Sequence, residues 1–242
     1  MDGISKQGLS KKVSRQPKNL TLFGDSYFKP EYGFKMSEIW LGVSSTFTSE
    51  NGIIRYTYQN ETLEGQRLRA KYNTPVVQSF PGQGILETEK EVLRCIKSTS
   101  TGEHVLALYL GANNIRKTSD NVANVVSSYD TICRTAQSQG NKTLLIIAPV
   151  PSPCWKKGFC KEDPCVHEIM SKIESVKLTK GLKNLAAFYP NVKFVDPSNL
   201  FLKRVGDNLM VDRQYYRPGD VHFNEYGTKL FLNKIISALI AF

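Results

Sequence analysis

The chain has 242 residues, 40% of them hydrophobic and 22% charged, with a formal net charge of +10 at pH 7. That length suits one domain with a sizeable core, and the composition is that of an ordinary globular protein rather than a disordered or fibrous one. No apolar run approaches the ~20 residues of a membrane-spanning helix. The opening Met-Asp-Gly-Ile-Ser-Lys shows no signal peptide, which leaves the compartment open and slightly favours the cytoplasm.

Residues 1–18 read as a basic, flexible arm, with Lys6, Lys11, Lys12, Arg15 and Lys18 set against Asp2. Such an arm is either a solvated tail or a phosphate-binding one. Residues 19–242 read as a single domain. Its first element is a buried strand, Leu20 to Phe23, running into Gly24-Asp25-Ser26. Glu31 to Leu41 is a helix or an irregular lead-in, and the alternation around Ile53 to Tyr58 marks an inserted strand or hairpin. A helix over Leu63 to Tyr72 leads to a second buried strand, Pro75 to Phe80, and to Pro81-Gly82-Gln83-Gly84. Leu86 to Lys97 is helical. His104 to Leu110 is nearly all apolar, as a central parallel strand covered on both faces must be. A helix from the N-cap Ser119 to Gln139 ends at Gly140. Then come a strand over Thr143 to Ala148, a helix over Val166 to Ala187, a short strand over Val192 to Val195 and a final helix over Glu225 to Leu239. Strands alternating with helices predict an α/β fold, a three-layer sandwich around a central, mostly parallel five-stranded sheet.

Four short stretches carry the chemistry: Gly24-Asp25-Ser26, Pro81-Gly82-Gln83-Gly84, Gly111-Ala112-Asn113-Asn114 and Asp220-Val221-His222. Three of them follow predicted strands, where open α/β sheets place working groups, and the last precedes a helix. In that order they resemble the blocks of the SGNH (GDSL) hydrolase superfamily, from Leu20 to the C-terminus. The resemblance implies a flavodoxin-like SGNH hydrolase fold and a cofactor-free serine esterase. It makes Ser26 the nucleophile and His222 the base. The oxyanion donors it implies are the Ser26 N–H, a glycine N–H and the Asn113 amide. Gly82 is the preferred glycine and Gly84 the runner-up.

Two positions depart from the pattern. The family has Asp-x-x-His, which would put the acid at Gly219, whereas the acid here is Asp220. An extended segment alternates side-chain directions, so Asp220 and His222 can share a side. Otherwise a backbone carbonyl or Asp212 would orient the base. The family's Asp after the oxyanion Asn is Asn114 here. Of the other histidines, His104 starts a buried strand and reads as a packing residue, and His167 follows a cysteine cluster.

Five cysteines are present. Cys95 and Cys133 fall in predicted helices, as buried thiols. Cys154, Cys160 and Cys165 with His167 span fourteen residues. That set is a candidate structural zinc site, a local disulfide with a spare thiol, or three free thiols. No cofactor is otherwise expected. The expected partner is a small-molecule, glycan or lipid ester, with short acyl or acetyl groups favoured because no long apolar lid segment is evident. The alternative is an SGNH-fold binding module with weak or no hydrolysis. It would use the basic arm on nucleic acid or an anionic partner, as a piece of a mobile-element polyprotein.

Overall fold

The computed structural model describes residues 16–28, 45–47, 53–56, 63–73, 75–98, 102–117, 121–153 and 166–242. Five strands run parallel: β1 (Asn19–Gly24), β4 (Val76–Ser79), β5 (His104–Tyr109), β6 (Lys142–Ile147) and β7 (Val192–Val195). The inserted segment supplies an antiparallel hairpin, β2 (Ser45–Phe47) and β3 (Ile53–Tyr56), which adds to the β4 edge. The sheet order is β2-β3-β4-β1-β5-β6-β7. The five-stranded parallel core is thus the expected one, lengthened at one edge by the hairpin.

Period-two alternation divides the core in two. Leu20 and Leu22 of β1, Val105, Ala107 and Tyr109 of β5, and Leu145 and Ile147 of β6 face one layer. That layer holds α1 (Leu63–Arg69) and α6 (Glu225–Ile240). Phe23, Leu106, Leu108, Leu144 and Ile146 face the other. There lie α2 (Ile85–Lys97), α4 (Val122–Gln139) and α5 (Val166–Phe188). Each helix offers an apolar stripe at helical spacing. In α4 it is Val125, Tyr129, Ile132, Cys133 and Ala136; in α6 it is Phe231, Leu232, Ile235, Ile236 and Leu239. Gly140 ends α4 at φ 70°, as a left-handed C-terminal residue should. A cap opens α6: Asn224 Oδ1 accepts from Gly227 N at 2.9 Å. The expected cap Ser119 lies outside the described residues.

Elements that the sequence pattern missed are all short. They are α3 (Ala112–Lys117), the hairpin β8 (Leu202–Val205) and β9 (Asn208–Val211), and 3-10 turns at Ser26–Phe28, Ser198–Phe201 and Arg213–Tyr215.

At the amino edge of the sheet His104 is a packing residue, as expected. It is buried, with Nε2 2.9 Å from Thr21 Oγ1 and Nδ1 3.4 Å from Lys142 Nζ. Burial first, and then the Lys142 cation, push its pKa down to about 4. The ring is therefore neutral. It accepts from the ammonium at Nδ1 and donates to Thr21 from Nε2. Cys133 is buried, Cys95 is half-buried, and both are free thiols within helices.

Candidate active site

Strand order brings three of the four stretches together. β1 lies between β4 and β5, and its last residue Gly24 is in register with both Ser79 and Tyr109. The chain therefore leaves the sheet at one height after all three strands. β1 is also where the order reverses, the place where open α/β sheets form a crevice. Asn113 crosses it. Its Nδ2 donates to Gln83 O at 2.9 Å and reaches Asp25 Oδ2 at 3.5 Å.

The turn after β1 is built for close approach. A Cβ on Gly24 would sit 2.0 Å from the Phe28 ring, so only glycine lets that ring fold back. The buried Asp25 carboxylate accepts from Tyr27 N at 3.0 Å, and its carbonyl accepts from Phe28 N and Ser79 Oγ. Ser26 opens this 3-10 turn, half-buried, at the carboxyl edge of the sheet.

His222 arrives on a small hairpin. Asn224 N bonds Tyr215 O and Arg217 N bonds His222 O, so residues 215–217 run against 222–224. Arg217-Pro218-Gly219-Asp220 closes it, with Asp220 N on Arg217 O at 3.1 Å and Gly219 at φ +66°. This is the Pro-then-Gly pattern of a type II turn, whose third position requires a positive φ. Glycine is favoured there over an acid, and the acid takes the next residue. Phe223, beside His222, is buried. It stacks on Phe201 at 4.5 Å and packs on Tyr27 at 4.7 Å, which anchors the loop in the core.

Three groups then stand in a chain. His222 Nε2 is 2.9 Å from Ser26 Oγ, and His222 Nδ1 is 2.7 Å from Asp220 Oδ1. A carboxylate can only accept, so Nδ1 carries the proton and Nε2 is left to accept the serine hydroxyl. The backbone N–H of His222 also donates to Asp220 Oδ1, at 3.2 Å. Burial acts to raise the Asp220 pKa, but the bonds from the His222 backbone and ring outweigh it, and the net direction is down. Asp212 is occupied elsewhere, accepting from Gln214 Nε2 at 2.7 Å, with Lys203 Nζ 3.7 Å away.

The two candidate glycines differ. Gly82 sits in a Phe80–Gln83 turn at φ +73°, with Gln83 N on Phe80 O. Gly84 is buried and its N–H already donates to Glu87 Oε2 at 2.9 Å. That bond argues against Gly84 as a donor. Asn114 is buried between the second and third stretches. Its Nδ2 donates to the same Glu87 Oε2 at 2.7 Å, and its Oδ1 accepts from Leu86 N at 3.3 Å. An aspartate there would set carboxylate against carboxylate, so the Asn is matched to Glu87. Sequence reading missed Glu87 and Tyr27. Glu87 had a signal, since it stands three residues after Gly84, at the spacing of a capping box.

Cys154, Cys160 and Cys165 lie outside the described residues, as do Tyr58 and arm residues 1–15. His167 lies on α5, and its side chain is outside them too. Among the described residues no His, Cys, Asp and Glu cluster could hold a metal ion, and no helix is long and apolar enough to cross a membrane.

No family model and no curated protein sequence matches the chain. Solved structures do. A carbohydrate esterase of family 3 from Talaromyces cellulolyticus superposes with a TM-score of 0.59 at 12% identity, covering 93% of this chain and 97% of that one. A member of the lipolytic protein G-D-S-L family from Veillonella parvula gives 0.55 at 16% identity, covering 93% and 100%. The aryl esterase of M. Smegmatis gives 0.56 at 12% identity, covering 93% and 99%. These neighbours span nearly the whole chain. The chain has the fold of the SGNH (GDSL) hydrolase superfamily.

Proposed function

We propose that the protein is a serine esterase that cleaves short-chain acyl or acetyl carboxylic esters through an acyl-enzyme. The observation that carries this reading is the unbroken chain from Ser26 Oγ through His222 to Asp220, with both links under 3 Å. Ser26 Oγ attacks the ester carbonyl carbon while His222 Nε2 takes its proton. Asp220 holds the tautomer and stabilises the imidazolium. The developing oxyanion is met by the N–H groups of Ser26 and Gly82 and, as it turns from Gln83 O, by the Asn113 amide. Loss of one such donor typically costs about 3 kcal/mol of transition-state stabilisation. His222 then gives its proton to the leaving alcohol, and the same groups activate water to release the acid. No cofactor enters these steps.

The esterase names of the structural neighbours support this reaction class. The absence of a long apolar lid segment from the sequence supports small acyl groups. Turnover of p-nitrophenyl acetate by wild type, lost in Ser26→Ala, is the expected result. A series of longer acyl chains then ranks the preference. Wild type no faster than Ser26→Ala would overturn the reading. Salt-dependent binding to DNA or RNA in that same inactive wild type would point to a binding module instead.

A further inference from the structure

Only one residue separates acid from base in this chain, and the second of the two peptides between them, Val221–His222, carries the imidazole. Both polar ends of that peptide are held. Its N–H donates to Asp220 Oδ1 at 3.2 Å. Its carbonyl, Val221 O, accepts from the Tyr27 hydroxyl at 2.5 Å. Tyr27 follows Ser26 directly and is 3% exposed. Its backbone N–H is fixed on Asp25 Oδ1 at 3.0 Å. Its ring packs on His222 at 5.5 Å and on Phe223 at 4.7 Å, with Tyr109 at 5.7 Å on the strand below. One side chain therefore ties the turn that carries the hydroxyl to the loop that carries the base.

We propose that Tyr27 is a positioning residue for the Ser26–His222 pair, acting through its hydroxyl on the Val221–His222 peptide. The role rests on the hydrolase reading above, but the geometry it fixes does not. A peptide with one free end can tilt about its neighbours. Tilting turns the imidazole and lengthens the bond to Ser26, and a misplacement of even 1 Å weakens proton transfer steeply. Because the Tyr27 hydroxyl is spent on a carbonyl, it acts on the base and not on the substrate. Its loss should therefore lower kcat and leave KM alone.

Tyr27→Phe keeps every ring contact and removes only the hydroxyl. The expected result with p-nitrophenyl acetate is a kcat lower by about tenfold, the worth of one ordinary hydrogen bond. KM should stay unchanged, and adding Tyr27→Phe to His222→Ala should cost nothing more. Unchanged kcat, or the same loss in the His222→Ala background, would overturn the proposal. A second readout needs no turnover. The downfield imidazole Nδ1–H proton of His222, assigned by its absence in His222→Ala, should exchange with water about tenfold faster in Tyr27→Phe, since the bond that fixes the loop is gone. An unaltered signal would overturn the positioning role even if wild type hydrolysed no ester, and inactive wild type with a faster-exchanging signal would overturn the hydrolase reading alone.

Discussion

Replacing Asn114 by Asp would restore the residue the SGNH pattern places after the oxyanion Asn, and the structure says it should harm the protein. Asn114 is 1% exposed and donates to Glu87 Oε2 at 2.7 Å. The variant loses a hydrogen bond to a charged group, worth about 1.5–3 kcal/mol. It also sets two carboxylates side by side, and such a pair escapes by holding a proton. At pH 7, holding that proton costs about 4 kcal/mol, three units above an ordinary carboxyl pKa near 4. The proton itself restores a bond between the two groups in place of the one lost, so the net loss is about 4 kcal/mol. For a chain of this size that is a fall in Tm of about 8–16 °C. The sign with pH follows. The shared proton has a folded-state pKa above its unfolded value, so the stability it carries is present in acid and lost as pH rises through that value. Thermal unfolding from pH 4 to pH 8 should therefore show wild type and Asn114→Asp converging at the acid end and parting toward neutrality. Adding Glu87→Gln should close the gap, since a carboxylate then faces an amide again. A gap independent of pH, or one that Glu87→Gln leaves open, would refute the matched-pair argument.

Ser26→Ala and His222→Ala should each cut ester turnover nearly completely, to a small residual rate, and be no worse together, because they act as one unit. Asp220→Asn should lose less, and equal activity in Asp220→Ala and wild type would show that Asp220 is not the orienter. Gly219→Ala meets no atom within 4 Å of its new Cβ, so its cost is the strain of φ +66° alone, about 1–2 kcal/mol, read in a urea melt. Moving the acid to the family spacing with Gly219→Asp in an Asp220→Ala background should rescue nothing, and recovered turnover would sink the turn argument. His104 is neutral when folded and takes up a proton when unfolded, as its folded pKa is lowered from 6.5 to about 4. Its contribution is therefore complete above the unfolded pKa and lost as pH falls from about 6.5 toward about 4, on the order of 3 kcal/mol. His104→Gln should flatten that part of the stability profile, and an unchanged slope would show that other groups set it.

Parallel strands such as His104–Tyr109 declare themselves because both faces are covered and the run is apolar throughout. Helices such as α4 declare themselves by spacing and a terminal glycine. The short β8–β9 hairpin did not, since its strands are only four residues each and largely exposed, with no apolar face to alternate. The same physics governs the site. That Ser26, Gly82 and Asn113 share one edge of the sheet was legible because each stands just past the end of a strand, and adjacent strands of equal height bring such residues to one edge. Asp220 was legible only by alternation along an extended segment. The reason it stands one residue late, a turn in which Gly219 has to adopt a positive φ, is a backbone fact that residue spacing does not carry. Tyr27 was invisible for a different reason. Its partner is a carbonyl 194 residues away, and carbonyls have no letter in a sequence. Side chains that work by gripping backbone are therefore the part of a site that pattern reading misses. In this chain two of them stand beside the positions where it departs from the SGNH pattern it resembles: Tyr27 on the carbonyl between Asp220 and His222, and Glu87 on the Gly84 amide beside Asn114. If Tyr27→Phe lowers kcat as expected, a departure from a motif points to a residue that compensates for it, here one across the fold and not next to it in the chain.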